Sequence, residues 1–515
     1  MPQGSATKQA TSAAPETPAR TRFAPSPTGM QHIGGYRTAL FSWLLARHTG
    51  GQFLLRIEDT DIARTVSGSV EAVIEGFKWL GMEIDEGPEN GGPYGPYFQT
   101  QRRDIYFPYV ERLIESGAAY RCFCTRERLA QVRQQQIARH LPPRYDRLCR
   151  TLTKKEIARN LSQGQSYTVR LAAPLVGKTI VEDALRPGAP IEFENANLDD
   201  AVLLKSDGYP TYHLANVIDD HLMCINHVLR AEEWIPSAPL HVILYRALDW
   251  EPPIFAHVPD VLEPQGGMKL SKRKSAIPML EYRERGYLPE ALLNYMALLG
   301  WSFDDKENVL SREQLIAAFT LDRVGRAPAR YDEGRLLWFN GYYIRQLSTD
   351  DLLKHALPFL ERPEAEGGLP DSVARPVNRE YARRVLALEQ ERMKTLAEAP
   401  AMTSFFFTGE LEYAPQTLIA KHMSAESTLA GLRRSLMLLE SVGDWAAAAM
   451  EAPLRELVAE LGLKPVQLFT SLRVAVTGRT VSPPLFETME TLGRDISLRR
   501  LRNAIAALGA TSPAG

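Results

Sequence analysis

The chain has 515 residues, several times the length of an ordinary domain, so two to four domains with substantial buried cores are expected. A formal net charge of −2 excludes a globally basic nucleic-acid binder, and any surface for a polyanion must come from local clusters of Arg and Lys. Four cysteines, three of them at Cys122, Cys124 and Cys149, are too few for a disulfide framework and fit a reducing, cytoplasmic compartment. No run approaches the roughly 20 apolar residues that a membrane span requires, so no membrane partner is expected.

Residues 1–20, rich in Ala, Thr, Ser and Pro, read as a disordered tail; a transit peptide is the weaker reading, because Glu16 is present and basic residues are few. Order begins with a strand at Thr21–Ala24, stopped by Pro25-Ser-Pro-Thr-Gly29. A helix over Tyr36–His48 follows, ended by Gly50-Gly51, and a buried strand over Gln52–Ile57 runs into Glu58-Asp-Thr-Asp61. Strand, glycine loop, helix and strand make one βαβ unit with a parallel sheet, whose strand C-termini are where ligands bind. Residues 21–104 form its first half. From 105 to 205 the texture becomes α+β, with a basic helix over Arg126–Arg139 and short alternating strands at Tyr167–Leu171 and Ala201–Leu204. The sheet resumes over 206–275 and is thus split by an insert. Beyond about 280 the periodic segments are helical, including Arg379–Glu398 and Arg499–Leu508, and form a separate all-α region.

Two motifs carry chemistry. His32-Ile-Gly34-Gly35 stands at a helix start, where backbone N–H groups and the helix dipole favour phosphate oxygens; alone, a helix-capping turn is an equal reading. Lys269-Leu-Ser-Lys272-Arg-Lys274 follows Gly266-Gly267 and can neutralise charge that builds on a leaving pyrophosphate, although an isolated basic hexamer is more often solvated surface.

Taken together, Phe23-Ala-Pro-Ser-Pro-Thr-Gly29 through Gly35, Leu55-Arg-Ile-Glu-Asp-Thr-Asp61, Asp207-Gly-Tyr-Pro-Thr-Tyr212, Asp219-Asp-His-Leu222, Arg230-Ala-Glu-Glu-Trp234 and Lys269-Leu-Ser-Lys-Arg273 resemble the class I glutamyl-tRNA synthetases. The resemblance implies a multidomain α/β plus α protein. Its Rossmann-type catalytic domain would be split by an insert that binds the tRNA acceptor end. A stem-contact helical domain over 276–345 and a helical anticodon-binding region over 346–515 would follow. It also implies ATP with Mg²⁺, L-glutamate and tRNA(Glu) as partners, and a monomer.

The same resemblance assigns roles residue by residue. His32, Lys269, Lys272 and Arg273 would stabilise phosphate charge during catalysis. Arg22 and Arg230 would bind the glutamate carboxylates and Glu58 its ammonium, with Phe23, Ala24, Tyr212 and Asn216 completing that pocket. Ser26, Gly34, Gly35, Glu233, Leu262, Leu270, Ser271 and Lys272 would hold ATP. Arginine suits carboxylates because its planar fork binds them bidentately. Arg392 falls where relatives that exclude the glutamine tRNA carry an arginine, so discrimination is expected, a helix-surface ion pair with Glu389 being the plainer reading.

Cys122, Cys124 and Cys149, with Tyr145, resemble a zinc knuckle of some relatives. Thr151 stands where a histidine ligand would be, and reduced, metal-free cysteines are the favoured expectation. A small-molecule adenylyltransferase would lack the long helical C-terminal region. A regulatory paralogue would be expected to have lost His32, Lys272 or the pocket arginines, and a glutaminyl-tRNA synthetase would be expected to carry β-barrels over 340–515.

Overall fold

The computed structural model describes residues 17–270, 277–304 and 308–511. Two units partition the chain, Met1–Tyr282 with Leu292–Glu333, and Arg283–Ala291 with Gly334–Gly515.

In the first unit the strand Arg20–Phe23 pairs in parallel with Gln52–Leu55, Phe23 opposite Leu55. The helix Ile33–His48 joins them; Leu40, Phe41, Trp43 and Leu44 are buried in it. Close approach at the return requires Gly51, since a β-carbon there would meet the Ala19 carbonyl oxygen at 2.0 Å. A second parallel pair, His227–Ala231 with Ile254–Val258, lies beside the first, for the Asn226 amide donates to the Arg20 carbonyl at 3.1 Å. The strand order is therefore 52–55, 20–23, 227–231, 254–258. The connection after Arg20–Phe23 runs to Gln52–Leu55 on one side and that after His227–Ala231 to Ile254–Val258 on the other, and a crevice opens where they diverge, at the C-terminal ends of these two central strands.

Between the two pairs in sequence stand an antiparallel sheet, Ala119–Cys122, Thr168–Leu171 and Val202–Leu204, and the hairpin Lys178–Val181 with Ile191–Glu194. The segment after the first hairpin strand is fastened back to the parallel layer, Ala184 N–H donating to the Phe255 carbonyl at 2.8 Å.

Beneath the crevice lies a buried ionic lattice. Asp219 and Asp220 end the helix Tyr212–Leu222, an unfavourable place for negative charge against the helix dipole. Asp220 accepts from Arg22 at 3.0 Å and Arg56 at 2.8 Å; Asp219 accepts from Arg102 at 2.7 Å, Gln99 at 2.9 Å and Tyr106 at 2.9 Å. The second unit is helical, and Leu432, Leu439, Leu454, Leu468, Leu472 and Leu501 lie in its core.

Several expected boundaries move. Residues 17–20 are not tail, because Ala19 is fully buried and accepts from Gln52 N–H at 3.2 Å; residues 1–16 lie outside the described residues. The region past 280 is not uniformly helical, since Ala329–Arg330 pairs in parallel with Val261–Leu262 and so belongs to the first unit. Nor does the expected helix 379–398 run through. It stops at Glu389, because Lys394 and Leu396 are drawn to other partners, the Lys394 carbonyl accepting from Asn340 at 2.7 Å and Leu396 N–H donating to the Gly286 carbonyl at 2.9 Å.

Candidate active site

The crevice holds a cavity of about 300 Å³. Its floor is the turn after the first strand, Arg22 to Ser26, and its far wall comes from Arg230, Ala231, Glu233 and Trp234 after the third.

At one end sits the helix start. His32 is the N-cap, its Nδ1 accepting from Gly34 N–H at 3.0 Å, which fixes the tautomer and leaves Nε2 as the protonated nitrogen. A β-carbon on Gly34 would meet the imidazole at 2.9 Å, so glycine is what lets the ring lie over the first turn. Lys269 is at the same end; burial works against its charge, but Glu233 at 2.6 Å and Asp260 at 2.9 Å hold the ammonium and raise its pKa. Val261 and Leu270 supply an apolar side.

Opposite stand the arginines. Arg230 is 5 % exposed, and three of its five N–H groups have partners: Nε donates to His257 Nε2 at 3.0 Å, Nη1 to Tyr212 Oη at 3.3 Å and to His241 Nδ1 at 2.9 Å. Its Nη2 is buried with no hydrogen-bond partner among the described residues. Arg230 lines the cavity, and a guanidinium N–H left without an acceptor suits a carboxylate in both charge and geometry. Arg22 turns its Nε into Asp220 and its Nη2 toward Asn216 Oδ1 at 3.4 Å. Glu58, 7 % exposed, is pushed up to about 7 by burial, against the pull of Arg56 and Arg22. Tyr212 is braced by Trp234, ring centroids 4.2 Å apart.

Of the expected site residues, Arg22, Phe23, Ala24, Ser26, His32, Gly34, Gly35, Glu58, Tyr212, Arg230, Glu233, Lys269 and Leu270 all line this one cavity. Two do not. Asn216 sits behind Arg22 as its acceptor, and Leu262 faces away because alternation along its strand turns Val261 inward instead. Ser271, Lys272 and Arg273 lie outside the described residues. Arg392 is in the second unit, on the one-turn 3₁₀ helix Gln390–Arg392 that follows the α-helix Arg379–Glu389, and donates to buried Glu389 at 2.6 Å; Arg473 and Arg479 are close enough for its charge to lower their pKa values, after burial. Sequence reasoning missed Arg37, Trp234 and Asp260. Trp234 belongs to a motif already singled out, and Arg37 stands out as a charge on an otherwise apolar helix face.

The three cysteines do converge, their sulfurs within 4.8 Å of one another. Tyr145 Oη is 3.3 Å from Cys122 Sγ and 3.5 Å from Cys124 Sγ, which brings an oxygen beside the three sulfurs; burial and the hydrogen bonds to the cysteines push the phenol pKa well up. Hydrogen bonds from Cys149 and Tyr145 lower the Cys122 thiol to about 4 despite burial. The Cys122–Cys149 hydrogen bond and burial push the Cys149 thiol up instead, so the cluster shares protons, and zinc could bind tetrahedrally by displacing them.

A helix start suited to an anion and a buried arginine suited to a carboxylate line one cavity at a parallel-sheet switch point, an arrangement able to bring a phosphate-bearing nucleotide and a carboxylate together. Comparison with known proteins narrows this. Residues 18–338 match the family described as tRNA synthetases class I (E and Q), catalytic domain, and residues 351–505 match an anticodon binding domain. A glutamate–tRNA ligase of Dehalococcoides mccartyi (strain ATCC BAA-2266 / KCTC 15142 / 195) is 48 % identical over 492 residues, 95 % of this chain and 98 % of the relative. One from Roseiflexus castenholzii is 49 % identical over 502 residues, 96 % and 97 % of the two chains. A glutamate tRNA ligase from Elizabethkingia meningosepticum, solved in complex with its amino acid, superposes with a TM-score of 0.86 at 35 % identity, covering 96 % of this chain and 100 % of that one. The chain belongs to the class I aminoacyl-tRNA synthetases, and within them to the glutamate–tRNA ligase family.

Glu58 gives a pH test. An ammonium substrate needs it ionised, and its raised pKa means that form is lost as pH falls through about 7. Glutamate's own groups do not titrate there. kcat/KM for glutamate is therefore expected to decline below about pH 7, and the decline to be absent in Glu58→Gln, whose rate is low throughout; a limb unchanged by the substitution would assign it elsewhere.

Proposed function

We propose that this protein activates L-glutamate with ATP to glutamyl-adenylate and transfers the glutamyl group to the 3′-terminal ribose of tRNA(Glu). A glutamate carboxylate oxygen attacks the α-phosphorus, the bond to the bridging oxygen breaks, and pyrophosphate leaves; the ribose hydroxyl then attacks the acyl carbon and AMP leaves. The observation that carries this reading is that buried Arg230, whose Nη2 has no partner among the described residues, lines the same cavity as the His32–Gly35 helix start. His32 Nε2 and Lys269 donate to phosphate oxygens, with Lys272 and Arg273 assigned the same task by sequence. Mg²⁺ accompanies the phosphates and neutralises part of their charge. Arg230 and Arg22 hold carboxylate and Glu58 holds the ammonium. Glutamine keeps its α-carboxylate but carries an amide in place of the side-chain one, which leaves a buried guanidinium without its anionic partner.

The remaining parts follow the family plan. The antiparallel segment between the two parallel pairs is the acceptor-end insert of a Rossmann-type domain, and the helical second unit reads the anticodon. A monomer is what the family resemblance implies, and the three clustered thiols suit the reducing cytoplasm. Those thiols with Tyr145 hold a structural zinc. The sequence favoured metal-free cysteines for want of a fourth ligand, and the placement of Tyr145 Oη supplies one.

Three measurements test these assignments. ATP–pyrophosphate exchange, run with tRNA(Glu) present, is expected with glutamate and not with glutamine; equal exchange with both would overturn the substrate. Elemental analysis of protein purified without chelator should find about one zinc per chain, falling in Tyr145→Phe; zinc at trace level in the unaltered chain would return the cluster to packed thiols. Arg392, held by Glu389 beside Arg473 and Arg479, is proposed to favour the glutamate tRNA over the glutamine tRNA, so the two should charge at rates differing roughly 10-fold or more, a difference that Arg392→Ala narrows. Comparable charging of both by the unaltered protein would end that assignment.

A further inference from the structure

Arg230 does not choose its own orientation. The groups around it form a line of hydrogen bonds in which each ring has one tautomer available. Arg230 Nε can only donate, so His257 Nε2 must be the bare nitrogen and Nδ1 the protonated one. That Nδ1–H points at Asp183 Oδ2, 2.7 Å away, with both side chains fully buried. On the other side Arg230 Nη1 requires His241 Nδ1 to be bare, so His241 Nε2–H donates to His213 Nδ1 at 3.2 Å. Burial lowers the pKa of all three histidines, which keeps them neutral.

Asp183 is itself fixed. Its Oδ1 accepts from Leu185 N–H at 2.9 Å and its Oδ2 also accepts from the His257 backbone N–H at 3.2 Å. It sits after the hairpin strand Lys178–Val181, outside the parallel layer, and is brought to the site by the Ala184–Phe255 backbone bond. Phe255 lies flat against the His257 ring, 6.0 Å between centroids, and under the Arg230 guanidinium at 5.2 Å. The guanidinium is thereby confined in plane by hydrogen bonds and from one face by a ring.

We propose that Asp183 and His257 are positioning residues for glutamate binding, a carboxylate–histidine relay that locks the tautomer of His257 and so fixes the Arg230 guanidinium at the cavity wall. The proposal rests on the reading of Arg230 as the glutamate carboxylate receptor. An asparagine at 183 cannot replace the acid, because whichever oxygen becomes an amide meets a backbone N–H, from Leu185 or from His257, donor against donor. With the amide toward His257 the imidazole must also present Nε2–H to Arg230 Nε–H, and the guanidinium must turn away.

The test compares Asp183→Asn, His257→Leu, His257→Gln and Arg230→Ala in ATP–pyrophosphate exchange with tRNA present, with melting curves to establish folding. Asp183→Asn and His257→Leu are expected to raise the KM for glutamate roughly tenfold or more while leaving the KM for ATP within about twofold. His257→Gln, which can still offer an amide oxygen to Arg230 Nε, is expected to recover much of the loss. In histidine-labelled protein, ¹⁵N shifts should report His257 protonated at Nδ1 and bare at Nε2, an assignment disturbed by Asp183→Asn. If Arg230→Ala raises the glutamate KM but neither Asp183→Asn nor His257→Leu does, the relay is overturned and the receptor stands. An Arg230→Ala variant with an unchanged glutamate KM would instead remove the receptor reading on which the relay rests. Should Asp183→Asn fail to fold, the His257→Leu and His257→Gln pair decides alone, since equal effects from both would mean that the acceptor atom is irrelevant.

Discussion

Taking a guanidinium out of water costs several kcal/mol unless its donors meet acceptors or opposing charge, and this protein does so repeatedly at the end of one small sheet. Arg22, Arg56, Arg102 and Arg230 are each at most 5 % exposed. The arrangement works because the helix Tyr212–Leu222 delivers two successive carboxylates, and residues one apart on a helix point about 100° apart. Asp219 therefore faces Arg102 and Tyr106 while Asp220 faces Arg22, and Arg56 spans both. Acids that would be misplaced against the helix dipole become necessary once those cations are buried.

The consequence for the site is a division of labour between Arg22 and Arg230. Arg22 is committed to Asp220 through Nε, so it contributes field and shape more than a free fork. Arg230 has neutral acceptors instead, two histidines and a tyrosine, which orient it without cancelling its charge. A charge held by dipoles remains available to an incoming carboxylate, whereas one already paired must first be released. Glu58 between these groups shows the opposite balance, since desolvation outweighs the nearby arginines and holds its proton to about neutral pH.

Much of this was legible from sequence wherever local chemistry and final position coincide. The loop Pro25–Gly29, the N-cap His32 and the paired glycines announce a strand–loop–helix whatever surrounds them, and the structure places them so. Thirteen of the expected site residues share one cavity because they sit at the ends of parallel strands, a location that topology predicts. What failed depended on distant partners. Glu389 ends a helix whose periodicity continues, because Gly286 and Asn340 compete for the backbone that follows. Asn216, between two of the matching motifs, has its side-chain oxygen directed by Arg22, 194 residues away in sequence.

The zinc cluster and the histidine relay illustrate the same limit from the other side. Spacing alone left Cys122, Cys124 and Cys149 one ligand short, since Tyr145 precedes Cys149 by four residues and nothing local obliges its hydroxyl to turn toward the sulfurs. It does so because the Arg170 guanidinium lies over its ring at 4.0 Å and Cys149 N–H donates to its oxygen at 3.0 Å. Asp183 was invisible as a site residue for a similar reason. It lies 47 positions before Arg230 in a segment that reads as hairpin, and its role exists only because Ala184 is hydrogen-bonded to the strand that carries His257. Residues that touch a substrate are constrained by its chemistry and leave motifs. Those that aim them are constrained by the fold, and in this protein the fold supplies them from outside the parallel sheet.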